Sequence, residues 1–237
     1  VLSEIIETDP SMAARIVRVA NSAMFAGLSE ARELSFAIAR LGSAMVVSIV
    51  LGAAAKELFL AEDPRFEPLL EEAWERSLLC ASAARHVSRL PGVPTEEAFL
   101  AGLLHSTGDP VLADACVTNG GPCPIEDVAL DELRRVLDEL RATAGTALLR
   151  SWRVPRSLVQ AVSNQSSDVT PLRAAAPLDL VVSAAARFAR RETRAPGTGT
   201  EAFVDHPAFR GMGGDRAEAV RITEQALQEL HELCRLF

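Results

Sequence analysis

Residues 95–110 read Thr-Glu-Glu-Ala-Phe-Leu-Ala-Gly-Leu-Leu-His-Ser-Thr-Gly-Asp-Pro. Thr95 followed by Glu96 and Glu97 marks a helix start, because acidic side chains favour the positive end of a helix. The apolar run that follows carries the helix through Leu104 to about His105. Asp109-Pro110 then opens a second helix, with Asp as the cap and Pro at the first helical position. An apolar helix that ends in a histidine and gives way at once to another helix sets the reading of the chain on both sides.

Upstream, the same Asp-Pro signal recurs at Asp9-Pro10, and Met12, Ile16, Val19 and Ala20 fall on one helical face up to Asn21-Ser22. A short helix over Leu34–Leu41 is closed by Gly42. Ser43–Leu60 is the most apolar segment and is expected to be the central helix. Asp63-Pro64 predicts a long helix from Pro64 to Ser88, with Leu70, Trp74, Leu78, Ala81 and Ala84 at three-four spacing. Downstream, the reading is an acidic helix over Ile125–Leu140, short helices over Gly145–Trp152 and Arg156–Asn164, and a polar loop over Ser166–Pro177. A helix over Leu178–Arg191 follows, then a loop over Arg194–Gly199 expected to be mobile. Phe209–Gly214 is expected to be an irregular connector, and Asp215 caps a last helix, Arg216–Phe237. Strand signals are nearly absent, so the expected fold is an all-α bundle of ten or more helices.

The 237 residues suffice for a substantial core. Hydrophobic residues at 49% and charged residues at 24% exclude wholesale disorder and fibrous classes. The apolar stretch Leu41–Ala55 stops at Lys56 and Glu57, too short to span a bilayer, and no basic n-region opens the chain. A cytoplasmic location with reduced cysteines is the expectation. The formal charge of −8, with two Trp and no Tyr, disfavours nucleic-acid binding. Lys56 is the only lysine, an Arg- and Ala-rich usage of bacterial, GC-rich type.

Metal chemistry has little to build on. The four histidines, His86, His105, His206 and His231, form no short-spaced cluster with Cys or carboxylates. His86, His206 and His231 read as surface residues, and His105 as a buried, hydrogen-bonded one. No nucleophile elbow or phosphate-cradling Gly-rich loop occurs, and Cys123, between two prolines, has no nearby base.

Five blocks in order resemble the HDOD ("HD-related output domain") family over residues 1–190. They are Asp9-Pro10 through Asn21-Ser22-Ala-Met-Phe25, Ser35-Phe-Ala-Ile-Ala-Arg-Leu-Gly42 and Trp74-x-x-Ser77. The last two are Glu97-Ala-Phe-Leu-Ala-Gly-Leu-Leu-His105 and Gly145-x-x-Leu-Leu-x-x-Trp152-x-Val-Pro155. Residues 191–237 then form a C-terminal helical extension packed on the same domain. The resemblance implies a degenerate relative of HD-type metal phosphohydrolases. Their His-Asp doublet stands here as His105-Ser106, their helix histidine as Arg76 and their later aspartate as Ala186. Arg141 stands where relatives keep a histidine four residues before the glycine of the fifth block, and Asn164-Gln165 where they keep a His-His pair.

An arginine stays protonated and cannot ligate a metal. Arg76 and Arg141 therefore predict either a structural ion pair or an anion pocket near His105. The expected function is a non-catalytic signalling module that works through a protein partner, without cofactor. The docking surface would be the loops around Leu28–Leu34 or the C-terminal helix 215–237, by which the chain could also form a homodimer. A nucleotide or cyclic-dinucleotide sensor built on Arg76, His105 and Arg141 is one alternative. A phosphohydrolase with Glu75, Asp109 and Asp114 as substitute ligands is another.

Overall fold

The computed structural model describes residues 6–22, 25, 29–118, 130–166 and 175–237. Every element among them is helical: α1 (Pro10–Ala20), α2 (Leu34–Leu58), α3 (Glu67–Val87), α4 (Thr95–Leu104), α5 (Gly108–Thr118), α6 (Leu130–Ser151), α7 (Arg156–Asn164), α8 (Pro177–Arg194), α9 (Gly199–Val204), α10 (Pro207–Gly211) and α11 (Arg216–Leu236). The all-α expectation holds. Leu28 of the expected docking loop, Cys123, the start of the expected acidic helix (125–129) and most of the 166–177 loop lie outside the described residues.

The central element is α3, not the apolar segment after Ser43. α3 buries Leu69, Leu70, Ala73, Trp74 and nearly every residue from Arg76 to Val87, and it packs against α4, α8 and α11. Its alanines are the reason. A helix whose side chains are mostly small admits neighbours close on every side. At Gly102 of α4 an added Cβ would lie 2.8 Å from Ala81 Cα, so only glycine permits the α3–α4 approach. The apolar α2 instead buries one face against α1 and α4 and leaves Phe36 and Val47 exposed. Contrary to the reading of Leu41–Ala55 as too short, the whole of α2 is long and apolar enough to cross a membrane by length and composition, because it continues through Gly42 back to Leu34. Gly42, at φ 78° and ψ 155°, breaks it into the two helices that the sequence predicts.

Other boundaries differ from expectation for physical reasons. Asp63 caps a turn through Arg65 N–H, and α3 begins only at Glu67, beside Pro68. The expected helices on either side of residue 141 are one, α6. Its Gly145 faces Gly108 at close range, so the glycine serves packing rather than a break. The 194–199 loop is pinned: Glu192, itself buried, accepts from Gly197 N (2.6 Å) and Gly199 N (2.7 Å). The Phe209–Gly214 stretch contains α10. Phe209 is fully buried and continues a stack in which Phe188 and Phe203 lie 4.7 Å apart and Phe203 and Phe209 5.0 Å. The terminal helix starts where expected, with Asp215 Oδ1 accepting from Glu218 N. Along it Leu233 is buried and Leu227 and Leu230 pack on the core, while Val220 is exposed.

Two of the histidines expected at the surface are buried. His86 contacts Glu229 Oε1 at 3.0 Å, and His206 caps α10 by accepting from Ala208 N. Each has a partner that is distant in sequence or formed only by the folded backbone, which periodicity does not show. His231 is exposed, as expected.

Candidate functional site

His105 ends α4, Ser106 and Thr107 form the turn, and Gly108 starts α5. At Gly108 a Cβ would lie 2.0 Å from the Arg141 carbonyl oxygen. α5 therefore presses directly on α6, and Asp109 lands beside the Arg141 side chain. The Gly102 contact brings α3 close to α4, and the folded helices set Arg76 against the same aspartate.

Asp109 is fully buried and engages both arginines. Its Oδ2 lies 2.5 Å from Arg76 Nη2 and its Oδ1 2.7 Å from Arg141 Nε. The pairing continues outward on both sides. Arg76 lies 3.5 Å from Glu72, which pairs with Arg134 at 2.9 Å. Arg141 lies 3.0 Å from Asp138, which pairs with Arg194 at 2.5 Å. The result is one alternating chain, Arg134–Glu72–Arg76–Asp109–Arg141–Asp138–Arg194, drawn from α3, α5, α6 and α8. Its outer ends border a cavity of about 460 Å³ that holds both signs of charge.

A polarised hydrogen-bond relay meets the chain at Arg76. His105 Nδ1–H donates to the Gly102 carbonyl (2.7 Å), which leaves Nε2 to accept from Ser106 Oγ–H (3.0 Å). Ser106 Oγ in turn accepts from Arg76 Nε at 3.4 Å. Burial holds His105 well below the ordinary histidine range, and the charges of Arg76 and Arg141 add to this, so the ring is neutral. Burial also pulls Arg76 down, with Arg141 assisting, to about 10, still protonated at neutral pH. For Arg141 burial acts downward, but Asp109 and Asp138 outweigh it and raise the value.

Arg76, His105, Ser106 and Arg141 thus come together, as the sequence predicts. Gln165 joins them by donating Nε2–H to the His105 carbonyl (2.8 Å). Asn164 turns instead to Asp179 Oδ2 at 2.8 Å, and Ala186 is packed in the apolar core, with no polar side-chain atom to offer. Asp109, read from sequence only as a helix start and substitute ligand, is the anion on which the cluster is organised. Glu72 and Asp138 also escaped the reading. Their spacing to Arg76 (i, i+4) and Arg141 (i, i+3) was the available signal. The other two substitute ligands, Glu75 and Asp114, are exposed.

The profile of the HDOD domain family matches residues 1–167. Among solved structures, an HDOD domain protein of unknown function from Geobacter sulfurreducens is similar, with a TM-score of 0.73, 18% identity and coverage of 100% of this chain and 85% of its own. A candidate metal-dependent phosphohydrolase from Shewanella amazonensis SB2B gives 0.70, 23% identity and coverage of 94% and 83%. A candidate signal transduction protein from Marinobacter aquaeolei VT8 gives 0.65, 20% identity and coverage of 99% and 53%. No curated protein matches the chain.

A metal of the kind named for the Shewanella protein needs carboxylate or imidazole donors with free lone pairs. Here both oxygens of Asp109 and both ring nitrogens of His105 are engaged, and two guanidiniums fill the surroundings. Among the described residues, no group of three or more His, Cys, Asp or Glu could hold a metal ion. The residues present do not fit a divalent metal.

Proposed function

The chain belongs to the HDOD domain family, and from that premise we propose that it is a non-catalytic signalling module whose output is contact with a protein partner. The observation that carries this reading is the Arg76–Asp109–Arg141 bridge. It puts two fixed positive charges, neutralised by a buried carboxylate, where hydrolysis would need an electrophilic metal and its water. The cluster is closed on itself: each guanidinium is held by two carboxylates, so an incoming anion at Arg76 or Arg141 would have to displace Asp109. This weighs against the nucleotide-sensor reading at that particular place. A neighbour of the same fold described as a signal transduction protein is consistent with an output role.

The test is a hydrolysis assay on the purified chain with bis(p-nitrophenyl) phosphate in the presence of Mn²⁺, Mg²⁺ or Zn²⁺, together with its metal content. The expected result is no turnover above buffer and no stoichiometric metal. Turnover that disappears on Asp109→Asn would overturn the proposal.

A further inference from the structure

The end of α2, the turn that follows it and α5 line one groove of about 370 Å³. α5 contributes Pro110, Ala113, Asp114 and Val117, at i, i+3, i+4 and i+7 on one helical face. Phe66 and Leu70, both buried, also line it and belong to a small core cluster with Leu69, Ala113 and Leu137. The apolar surface of the groove is not fully covered. Leu60 is 65% exposed and Val117 39%, and both belong to the lining. Single exposed apolar side chains are ordinary, but two in one concavity form a patch continuous with the core.

The charge of the groove has one sign. Glu57, Glu62, Asp63 and Asp114 line it, with no Lys, Arg or His among the described lining residues. Asp63 is held by Arg65 at 2.5 Å, and Asp114 is engaged as well. Glu57 and Glu62 are exposed, and neither carboxylate has an ion-pair partner among the described residues. Glu57 also lies in the last turn of α2, where the negative end of the helix disfavours an acid. Lys56, the only lysine, does not offset it at the groove, because its Nζ lies over the Trp74 ring, 4.8 Å from the centroid. A cation arriving from outside would be favoured by Glu57, Glu62 and the end of α2 together.

These features select an occupant with apolar side chains for Leu60 and Val117 and with Arg or Lys for the rim. An amphipathic helix laid in a groove offers both on one segment. Residues 119–129 of this chain carry Glu126 and Asp127 and no Lys or Arg, so charge does not recruit them here. A second copy would bring a net charge of −8 to an acidic rim, which opposes that pairing. We propose, building on the partner-contact reading above, that this groove is where the partner docks. It receives a basic amphipathic helix of another protein, with an apolar side chain between Leu60 and Val117 and Arg or Lys side chains against Glu57 and Glu62.

The experiment is selection of a display library of random peptides, about 16 residues or four helical turns long, on the full chain. Enriched peptides are then titrated by calorimetry. They are expected to carry apolar residues at helical spacing flanked by Arg or Lys, and to bind less tightly as salt rises. Leu60→Ser should weaken them about tenfold or more, the loss expected for an apolar anchor. Glu57→Gln combined with Glu62→Gln should weaken them about fivefold at low salt and less at high salt. All three positions are exposed, and thermal melts confirm that the variants are folded. Glu57→Gln alone should melt no lower than the native chain, because it removes an acid from the negative end of a helix.

Enriched peptides that are acidic or uncharged, or no enrichment at all, would overturn the proposal. Dimerisation of the chain in sedimentation, abolished by Leu60→Ser, would overturn it in favour of a second copy. Binding that appears only when residues 119–129 are replaced by a Gly-Ser linker would overturn it in favour of this chain's own segment. Peptides that bind but ignore the Leu60, Glu57 and Glu62 substitutions would defeat the groove and leave the partner-contact reading standing. Metal-dependent turnover in the hydrolysis assay would defeat that reading whatever the peptides do.

Discussion

Asp109 lies 2.5 Å from Arg76 and 2.7 Å from Arg141, fully buried between two guanidiniums that come from different helices. Among the described residues it is the one carboxylate that the two buried cations share. Removing it leaves Arg76 with Glu72 and Arg141 with Asp138, each short of its fully buried partner. Asp109→Ala is expected to destabilise the fold by about 3–5 kcal/mol, the usual consequence of breaking one side of a buried ion pair. The triple replacement Arg76→Met, Asp109→Leu, Arg141→Met should recover most of that loss, because well-packed apolar groups often match a buried ion cluster in stability. Urea denaturation of the two variants checks both statements. A triple variant no more stable than Asp109→Ala would show that the cluster contributes through something other than mutual neutralisation.

His105 makes stability depend on pH in a definite direction. Its folded-state value is depressed, first by burial and then by Arg76 and Arg141, well below 6.5. The unfolded chain therefore takes up the proton first, and stability is fully present above pH 6.5. As pH falls below 6.5, each unit removes about 1.4 kcal/mol until the folded value is reached. Carboxylates scarcely titrate between pH 6.5 and 5.5, so this window isolates histidines. Urea midpoints measured across it should fall for the native chain and fall less for His105→Asn. Parallel slopes for the two proteins would contradict the assignment.

The α5–α6 contact predicts two unequal glycine substitutions. A Cβ at Gly108 would meet a backbone oxygen 2.0 Å away, and the helix as a whole must move. A Cβ at Gly145 would meet Gly108 N at 3.1 Å and Thr107 Oγ1 at 3.3 Å, a mild overlap partly offset by the better helix propensity of alanine. Gly108→Ala should cost about 3 kcal/mol, the upper end of overpacking, and Gly145→Ala less than about 1 kcal/mol. Thermal melts of both variants decide it, and an equal loss for the two would place the tight contact elsewhere.

Local signals carried much of the architecture. Asp9-Pro10 and Asp215 cap helices as read, because an N-cap is a contact between neighbours in sequence. The five blocks that resemble the HDOD family made the meeting of Arg76 and Arg141 with His105 and Ser106 legible. What escaped was decided by distant partners. Ala-rich α3 became central because neighbours could approach it closely, while the more hydrophobic α2 kept one side exposed. Gly145 resembled a helix end because its reason, Gly108, lies on another helix. Asp109 resembled a simple helix cap because the two cations that claim it lie more than thirty residues away in either direction.

The last helix bears on how a docking surface can be tested. Glu229 anchors α11 to α3: its Oε2 accepts from Ser82 Oγ at 2.5 Å, and its Oε1 lies 3.0 Å from His86 Nε2 and 3.8 Å from Arg85. Burial acts to raise the Glu229 carboxyl, but the bonds to His86 and Ser82 outweigh it and leave the carboxyl below its ordinary value. Glu229→Ala is expected to cost about 2 kcal/mol, since Ser82 and His86 are left buried with lost partners. Farther along, Leu233 and Leu236 are buried and Phe237 meets Trp74 edge-on with ring centroids 6.0 Å apart. Deleting residues 215–237 would uncover the central helix, so the truncated chain is expected to aggregate or lose cooperative unfolding. Loss of a partner by such a truncation would therefore say nothing about docking. The informative substitution is on the solvent side, where Val220 is exposed. Val220→Asp should leave the melting temperature within the range of ordinary surface changes. If α11 is a contact surface for a second copy, it should shift the sedimentation equilibrium toward monomer. An unchanged equilibrium would remove this face of α11 from the candidates.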